Sequence, residues 1–357
     1  MTRAQKLQLA KQMHCLKNMR HLYYRMMSRG VELRLSFLLV FFKRFSLTLV
    51  LTGSLAGGVN AQNVKPSVAL KIGKESTKSE IVPDLAFGAY QRGHYLTAFK
   101  LALPKAKLGD PASQTLIAEM YDKGYGVPKN LAESTAWYAL AAENGNLEAQ
   151  FSFAVKLLEG KYVKPDVKKA RSLMLMAAKG GHATAAFNVG QFIISQRPTS
   201  AGTKQAMDFF MQAANGRVSD AYYTIAKIYE SGQLKGFPEM EKAQDWMLKA
   251  AKAGIDTAQV ELAIWLVNGK AGIKEPEIGF QWMKRAALGG NVIGQNRIAK
   301  MLVQGVGTKP NIIEGVKWHF IARRAGLNDQ WLDEIVGSLK QDQLAKALRA
   351  ANRWPSG

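Results

Sequence analysis

The sequence predicts an all-α solenoid of stacked helical hairpins, because two short phrases return along it at an almost fixed interval. The first phrase has a bulky apolar residue and, eight positions later, a closing residue that is usually glycine. Each step is 36 residues except one of 37. The bulky residues are Trp137, Leu173, Phe209, Trp246, Trp282 and Trp318, and the closing residues are Gly145, Gly181, Arg217, Gly254, Gly290 and Gly326. Such a period indicates units that pack on their neighbours.

The second phrase marks a turn inside each unit and reads YDKGYGVP in its clearest copy, residues 121–128. Its glycine recurs at Gly124, Gly160, Gly232, Gly269 and Gly305. The residue just past a helix often takes the left-handed conformation, which glycine adopts cheaply, so these glycines predict helix ends. After the turn, Asn130 with Glu133 and Asn311 with Glu314 predict capping boxes that open a second helix.

Small residues recur at fixed positions in both helices of each unit. They occupy Ala118, Ala154, Gly190, Ala226, Ala263 and Ala299 in the first helix, and Ala141, Ala177, Ala213, Ala250, Ala286 and Ala322 in the second. Small side chains let helix backbones approach closely, and the bulky residues then fill the remaining space. We therefore expect a continuous core along the stack.

Together the two phrases read A-x-x-x-x-A-x-x-Y-x-x-G-x-G-V-x-K-N followed by A-x-x-W-Y-x-x-A-A-x-x-G, and they resemble the Sel1-like repeat, a relative of the tetratricopeptide repeat. The resemblance covers residues 111–326. It implies a right-handed α/α superhelix that binds proteins, and it implies no catalysis. Some secreted proteins of this type staple each hairpin with a cysteine pair, whereas the one cysteine here, Cys15, precedes the repeats.

The predicted organisation has five parts. Residues 1–61 are a basic N-terminal region with a signal peptide, residues 62–81 a flexible linker, and residues 82–110 a divergent first hairpin. Capping helices at residues 327–357 cover the last open face of the stack. The six repeats between them span residues 111–147, 148–183, 184–219, 220–257, 258–293 and 294–326.

The third repeat departs from the pattern. Gln196 stands where other units have the loop glycine, and Arg217 stands where they have the closing glycine. One interpretation is an irregularity that binds a partner. The interpretation we favour is drift in a tolerant loop, since loops accept substitutions at small cost.

Charge and hydropathy near the amino terminus predict export. The net charge of the chain is +22, of which residues 1–61 carry +9 and the remainder +13. Lys43 and Arg44 precede an apolar run at residues 45–56, and small residues then predict signal cleavage between Ala61 and Gln62. The protein would then be periplasmic or secreted. The alternative is an uncleaved anchor in the inner membrane.

Residue types suited to catalysis are scarce after the predicted cleavage site. The histidines there are His94, His182 and His319, at unrelated repeat positions, and we expect each to be a surface or partly buried residue. No zinc-protease, nucleophile-elbow, phosphate-loop or C-x-x-C motif is present. The sequence therefore predicts no enzyme, cofactor or metal site, and export disfavours nucleic acid as a partner.

The function that these observations favour is an exported scaffold or adaptor that binds an envelope protein, whose identity the sequence does not give. Resembling proteins regulate signalling sensors or support exopolysaccharide machinery. The alternative is binding of an anionic polysaccharide or membrane surface, because basic surfaces attract polyanions.

Residues of the first helices that no repeat column requires are the predicted partner-binding residues, since first helices line the concave surface of resembling proteins. Aromatic side chains with a polar atom are frequent interface anchors, although Tyr223 and Trp265 could instead pack under a neighbouring hairpin. The predicted residues are Gln150, Lys156, Tyr222, Tyr223, Lys227 and Trp265.

Overall fold

The computed structural model describes residues 84–272 and 274–354, which hold sixteen α-helices and no strand. The predicted signal peptide and linker lie outside these ranges. The helices are α1 Leu85–Gln91, α2 Tyr95–Lys107, α3 Pro111–Lys123, α4 Leu131–Glu143, α5 Leu147–Glu159, α6 Val167–Lys179, α7 Ala183–Gln196, α8 Ser200–Asn215, α9 Ser219–Ser231, α10 Met240–Lys252, α11 Asp256–Asn268, α12 Pro276–Leu288, α13 Val292–Gln304, α14 Ile312–Arg324, α15 Gln330–Gly337 and α16 Gln341–Asn352.

Helices pack mainly against their neighbours along the chain. Each helix from α1 to α13 packs against the next, and α16 folds back onto α14. Six hairpins run from α3 to α14, and we call α3, α5, α7, α9, α11 and α13 the first helices. This arrangement confirms the predicted all-α solenoid, in which each unit is stabilised by adjacent units. The boundaries of the individual repeats stay a prediction.

The small-residue columns form the tightest part of the core. Every alanine in both columns is fully buried. Of the bulky residues, Trp137 and Trp318 are buried, while Trp246 and Trp282 keep part of their surface exposed. Helix backbones can therefore approach at the alanines while large side chains fill the space beside them.

Backbone angles explain the two glycine columns. The closing glycines have φ between +87° and +105°, a region that residues with a side chain rarely adopt. The loop glycines Gly124, Gly160, Gly232, Gly269 and Gly305 cap the first helices in the same left-handed region. Arg217 keeps φ at +62° and is the one residue other than glycine with a positive φ among the described residues. The turn geometry is therefore retained in the third hairpin without its glycine.

The predicted capping boxes are wrong in part. Asn130 does cap α4, because its side chain accepts from the backbone N–H groups of Ala132 and Glu133. The return contact from the glutamate is replaced, however, since the Asn130 N–H donates to the Tyr121 carbonyl at 2.9 Å. The same happens at Asn311, whose N–H donates to Leu302 at 2.7 Å. Closure of the hairpin loop onto the preceding helix uses the donor that a capping box would need.

The third hairpin has longer helices and a shorter connection than the others. Helix α7 has 14 residues and α8 has 16, against 13 in both helices of the second and fifth hairpins. The connection is residues 197–199, and Thr199 caps α8 by accepting from the Gly202 N–H at 3.2 Å. The missing loop glycine therefore coincides with a different turn.

Two helices close the carboxyl end of the stack. Leu332 on α15 is fully buried, and Trp354 folds back so that its ring lies 4.9 Å from that of Trp318. His319 is fully buried and pairs with Asp333 at 2.8 Å, so the expectation of a surface or partly buried histidine is wrong at this position. An acid on the closing segment thus pairs with Nε2 of this buried ring, whereas Nδ1 has no hydrogen-bond partner among the described residues.

Candidate protein-binding surface

A column of glutamines ties first helices to the helix before them. Each side-chain amide donates to a backbone carbonyl eight residues earlier, at 3.0 to 3.4 Å. The pairs are Gln114 with Ala106, Gln150 with Ala142, Gln259 with Ala251 and Gln295 with Ala287. Gln150, a predicted partner-binding residue, is 3% exposed. This position is therefore a packing column that the sequence pattern did not reveal.

The glutamine column is interrupted at the third and fourth hairpins, where Ala186 and Tyr222 occupy it. In the third hairpin Gln212, on α8, donates to the Ala178 carbonyl in place of the missing glutamine. In the fourth, Tyr222 is half-buried and stacks on Trp246, with ring centroids 6.0 Å apart. At this position the fourth hairpin therefore has an aromatic contact between α9 and α10 in place of the glutamine side chain.

Four charged residues link α9 to α11 and to the segment that follows α11. Lys227 contacts Glu230 on its own helix and donates to Glu261 on α11 at 3.0 Å. Tyr223 donates its hydroxyl proton to the same Glu261 at 2.7 Å. Lys270, just after α11, pairs with Glu230. We call Tyr223, Lys227, Glu230, Glu261 and Lys270 the α9–α11 network.

Burial and pairing act in opposite directions on the pKa values of this network. Burial would raise the pKa of the Glu230 carboxyl, but hydrogen bonds from Lys227 and Lys270 outweigh it and hold that pKa below its usual value. Burial would lower the pKa of Lys227, yet its contacts with Glu230 and Glu261 raise it. Glu230 and Lys227 therefore both stay ionised near neutral pH.

An aromatic group lies beside the network. Trp265 is 4% exposed, and the Lys270 ammonium lies 4.9 Å from the centroid of its ring. At this distance a cation is attracted to the ring face. Tyr222, Tyr223, Lys227 and Trp265, four of the six predicted partner-binding residues, thus come together on two neighbouring first helices.

The other two predicted residues lie apart from that group, on α5. Gln150 belongs to the glutamine column, and Lys156 donates to Asp122 on α3 at 2.7 Å. Helix α5 packs mainly on its chain neighbours α4 and α6. Partner binding by all six residues stays a prediction.

The repeat pattern also matches a known family. The model of the Sel1 repeat matches residues 111–146, 147–182, 219–255, 257–291 and 292–327, about half of the chain. The chain belongs to the Sel1 repeat family. Members of this family generally mediate protein–protein interactions and are generally not catalysts. The matches leave out residues 183–218, which form the hairpin of α7 and α8.

Solved structures agree with the assignment to the Sel1 repeat family. A protective antigen of uropathogenic Escherichia coli is 23% identical, with a TM-score of 0.64, over 75% of this chain and 59% of the antigen. This chain therefore spans 59% of the antigen's length. A Sel1 repeat protein from Oxalobacter formigenes is 27% identical, with a TM-score of 0.58, over 67% of this chain and 98% of that protein. Comparison with curated protein sequences finds no match.

Contacts between Sel1 repeats include polar side-chain pairs that lie 34 positions apart in the sequence. Lys227 with Glu261 is one such pair, Lys156 with Asp122 is another, and His182 with Glu148 is a third. The hydrogen bond from His182 lowers the pKa of Glu148. Sequence reasoning missed Glu230, Glu261 and Lys270, although a search for charge pairs 34 positions apart would have found Glu261.

Other predicted features have the following places. His94 precedes α2, and His182 caps α7 by accepting from the Ala185 N–H at 3.0 Å. Within the described residues, no three His, Cys, Asp or Glu side chains are grouped as a metal ion would require. None of the helices there combines the length and apolar content needed to cross a bilayer. Ala61 and Gln62 lie outside the described residues, so signal cleavage stays a prediction.

Proposed function

We propose that this protein is an exported, non-catalytic scaffold or adaptor of the bacterial cell envelope that binds a protein partner through α9 and α11. The observation that carries the proposal is the meeting of Tyr222, Tyr223, Lys227 and Trp265 on adjacent first helices of a Sel1 repeat stack. The family supports protein binding in general. The partner's place in signalling or in exopolysaccharide production is part of the proposal and derives from the sequence resemblance.

The contacts of the α9–α11 network suit it to recognition. Lys227 and Lys270 keep 37% and 45% of their side chains exposed, whereas Glu230 keeps 16%. The glutamates therefore hold both ammonium groups in place before a partner arrives. Side chains ordered in advance lose less conformational entropy on binding, which favours affinity. In this proposal Trp265 supports the surface from below at α11. The surface continues along the first helices to α5, where Lys156 extends it and the buried Gln150 supports it.

A photo-crosslinking amino acid at position 264 tests the proposal in intact cells. Ile264 lies on α11, is half-buried, and occupies the repeat position that Lys227 occupies on α9. We expect one protein adduct from position 264. The matched control is position 284, an exposed lysine on α12, from which we expect none. Adducts of equal yield at both positions, or none at 264, would contradict the proposal.

The cellular location has its own test. Export predicts that the mature amino terminus begins at Gln62, and mass spectrometry of the protein from its native cells measures this directly. A mature protein that retains residues 26–61 in the membrane fraction would establish the anchored alternative instead.

A second candidate function is binding of an anionic polysaccharide or membrane surface. One observation favours it: basic residues are unevenly distributed among the repeats. Residues 160–181 contain six Lys or Arg and one acid, whereas the corresponding residues 124–145 contain one Lys and two acids.

A further inference from the structure

Helix α6 and the loop before it carry positive charge that the surrounding residues leave uncompensated. Among the described residues the one ion pair here joins Lys169 to Glu143 at 3.8 Å, and both of those side chains are largely exposed. The single acid, Asp166, accepts from the Lys169 backbone N–H at 2.9 Å and caps the helix. The remaining cations are Lys161, Lys164, Lys168, Arg171 and Lys179, all exposed.

Two of these cations, Lys168 and Lys179, share one side of α6 with large apolar side chains. Lys168, Leu175 and Lys179 follow one another at helical spacing, so they lie along one stripe. Leu175 is 36% exposed and the adjacent Met176 is 51% exposed. The opposite side of the helix is buried and consists of Ala170, Leu173, Ala177 and Ala178.

The loop before α6 continues the same composition. Tyr162 is 45% exposed and stands between Lys161 and Lys164. Tyrosine is enriched where a membrane meets water, because its ring is apolar and its hydroxyl polar. We call Lys161, Tyr162, Lys164, Lys168, Lys169, Leu175, Met176 and Lys179 the α6 face.

We propose that the α6 face docks on an anionic lipid bilayer. Lysines next to an anionic bilayer are attracted to its negative charge. Their long aliphatic stems let the ammonium groups reach the headgroups. Leu175 and Met176 would then enter the boundary between the headgroups and the acyl chains. The apolar side chains stand exposed among the cations, an arrangement that suits a fluid surface better than an acidic peptide. The inference deepens the second candidate function and is independent of the partner proposed for α9 and α11.

The excess of positive charge on α6 is not shared by the second helices of the two neighbouring hairpins. The preceding second helix, α4, has no Lys or Arg, and its last turn ends in Glu143. The following one, α8, has Lys204 and Asp208, which balance. A bilayer contact centred on α6 would therefore leave the neighbouring repeats at its margin.

The test compares full-length variants in co-sedimentation with vesicles of phosphatidylethanolamine and phosphatidylglycerol, and with vesicles of phosphatidylcholine alone. In the first variant Lys168, Lys169 and Lys179 are changed to Gln. Its matched control changes Lys204, Lys252 and Lys284 to Gln, three exposed lysines of other second helices. We expect the α6 variant to lose about a hundredfold in affinity for the anionic vesicles and the control about threefold or less. Equal losses, or no binding by the wild type, would overturn the inference.

A second variant separates a bilayer from a soluble polyanion. Leu175→Ser with Met176→Ser leaves every charge in place, so binding to alginate should be unchanged while binding to anionic vesicles falls about tenfold or more. Unchanged vesicle binding by this variant would overturn docking on a bilayer and leave a polysaccharide as the ligand. Retained vesicle binding by the lysine variant, with lost binding to polyglutamate, would assign the face to an acidic protein instead.

Discussion

The third and fifth hairpins perform the same structural task with different residues. In the fifth, Gln259 donates to Ala251, and the closing Gly290 has φ of +88°. In the third, the equivalent carbonyl receives its donor from Gln212 on the other helix, and Arg217 takes the left-handed conformation at +62°. The neighbours in the stack therefore impose the backbone geometry, and the residue types at these positions adjust the stability of each unit.

The same comparison extends to the seam between the helices. In the fifth hairpin Ala263 and Met283 share one core cluster, whereas the third hairpin has Gly190 and Phe210 at the same two repeat positions. A Cβ added to Gly190 would lie 2.7 Å from the Phe210 ring. The larger ring is thus accommodated by the smaller neighbour, which keeps the volume of the seam nearly constant.

The largest expected effect comes from removing that ring. Phe210→Ala should destabilise the protein by about 3 to 5 kcal/mol, because Phe210 is fully buried and its loss leaves a cavity. Hydrogen exchange should accelerate in α7 and α8 and remain slow in α13 and α14, since repeats couple to neighbours. Equal acceleration in all hairpins would show that the third hairpin is no separate unit.

The second-largest expected effect comes from adding volume to the seam at Gly190, where Phe210→Ala removes it. Gly190→Ala should cost about 1 to 3 kcal/mol through overpacking, although alanine favours a helix over glycine. Phe210→Met in the same protein should recover most of this loss by making the seam resemble that of the fifth hairpin. Denaturant unfolding of both single variants and the double variant measures the coupling. Additive losses would mean that the two positions do not share one space.

Removing either amide donor compares the two hairpins directly. Gln259→Ala and Gln212→Ala should each cost about 0.5 to 1.5 kcal/mol, since each removes one side-chain hydrogen bond. The Ala251 and Ala178 carbonyls still accept from the backbone N–H groups of Gly254 and Gly181. Gln205→Ala, an exposed glutamine on α8, is the control and should change little. A negligible cost for Gln212→Ala alone would show that Gln212 does not replace the missing glutamine.

Restoring the closing glycine should stabilise the third hairpin. Arg217→Gly is expected to add about 1 kcal/mol, because residues with a Cβ are strained in the left-handed region. Gly290→Arg should produce a loss of similar size in the fifth hairpin. Thermal unfolding detects both shifts, and a destabilising Arg217→Gly would indicate that the arginine side chain makes a contact that outweighs its strain.

The smallest expected effect is a dependence of stability on pH near the α9–α11 network. The pKa of Glu230 is lowered in the folded protein, so its contribution is present above the unfolded pKa of about 4.3 and is lost as pH falls through the folded value. Glu230→Gln should therefore flatten the acid side of the stability profile. The corresponding control is Glu241→Gln, which removes the same charge from an exposed position on α10.

The fold could be predicted from the sequence because the same packing problem is solved in every unit. Trp137 and Gly145 mark one hairpin, and the equivalent residues of the other hairpins follow at intervals of 36 or 37 residues. The capping boxes could not be predicted reliably, because the Asn130 N–H is used by the loop, a contact that depends on where Tyr121 lies in space. Burial of His319 likewise depends on the closing helices α15 and α16. They lie outside the repeat pattern, so that pattern does not predict how they pack.

The candidate site was partly accessible from the sequence. Tyr222, Tyr223 and Lys227 lie within two turns of one helix, so their proximity follows from helical spacing alone. Glu230, Glu261 and Lys270 were not found, because charge pairs between repeats change sign and residue type from one junction to the next. Lys donates to Asp at one junction and His pairs with Glu at another.

The most direct test of partner binding at α9 and α11 uses two lysines at the same repeat position. Lys227 pairs with Glu261, and Lys300 pairs with Asp329 at 2.7 Å in the closing segment. The protein captured by crosslinking at position 264 is purified, and its affinity for Lys227→Met and Lys300→Met is measured alongside thermal stability. We predict a loss of about tenfold or more for Lys227→Met, since truncation of an interface anchor costs at least about 2 kcal/mol, and a change below about threefold for Lys300→Met at comparable stability. Equal changes in both variants, or unchanged binding by Lys227→Met, would contradict the proposed site.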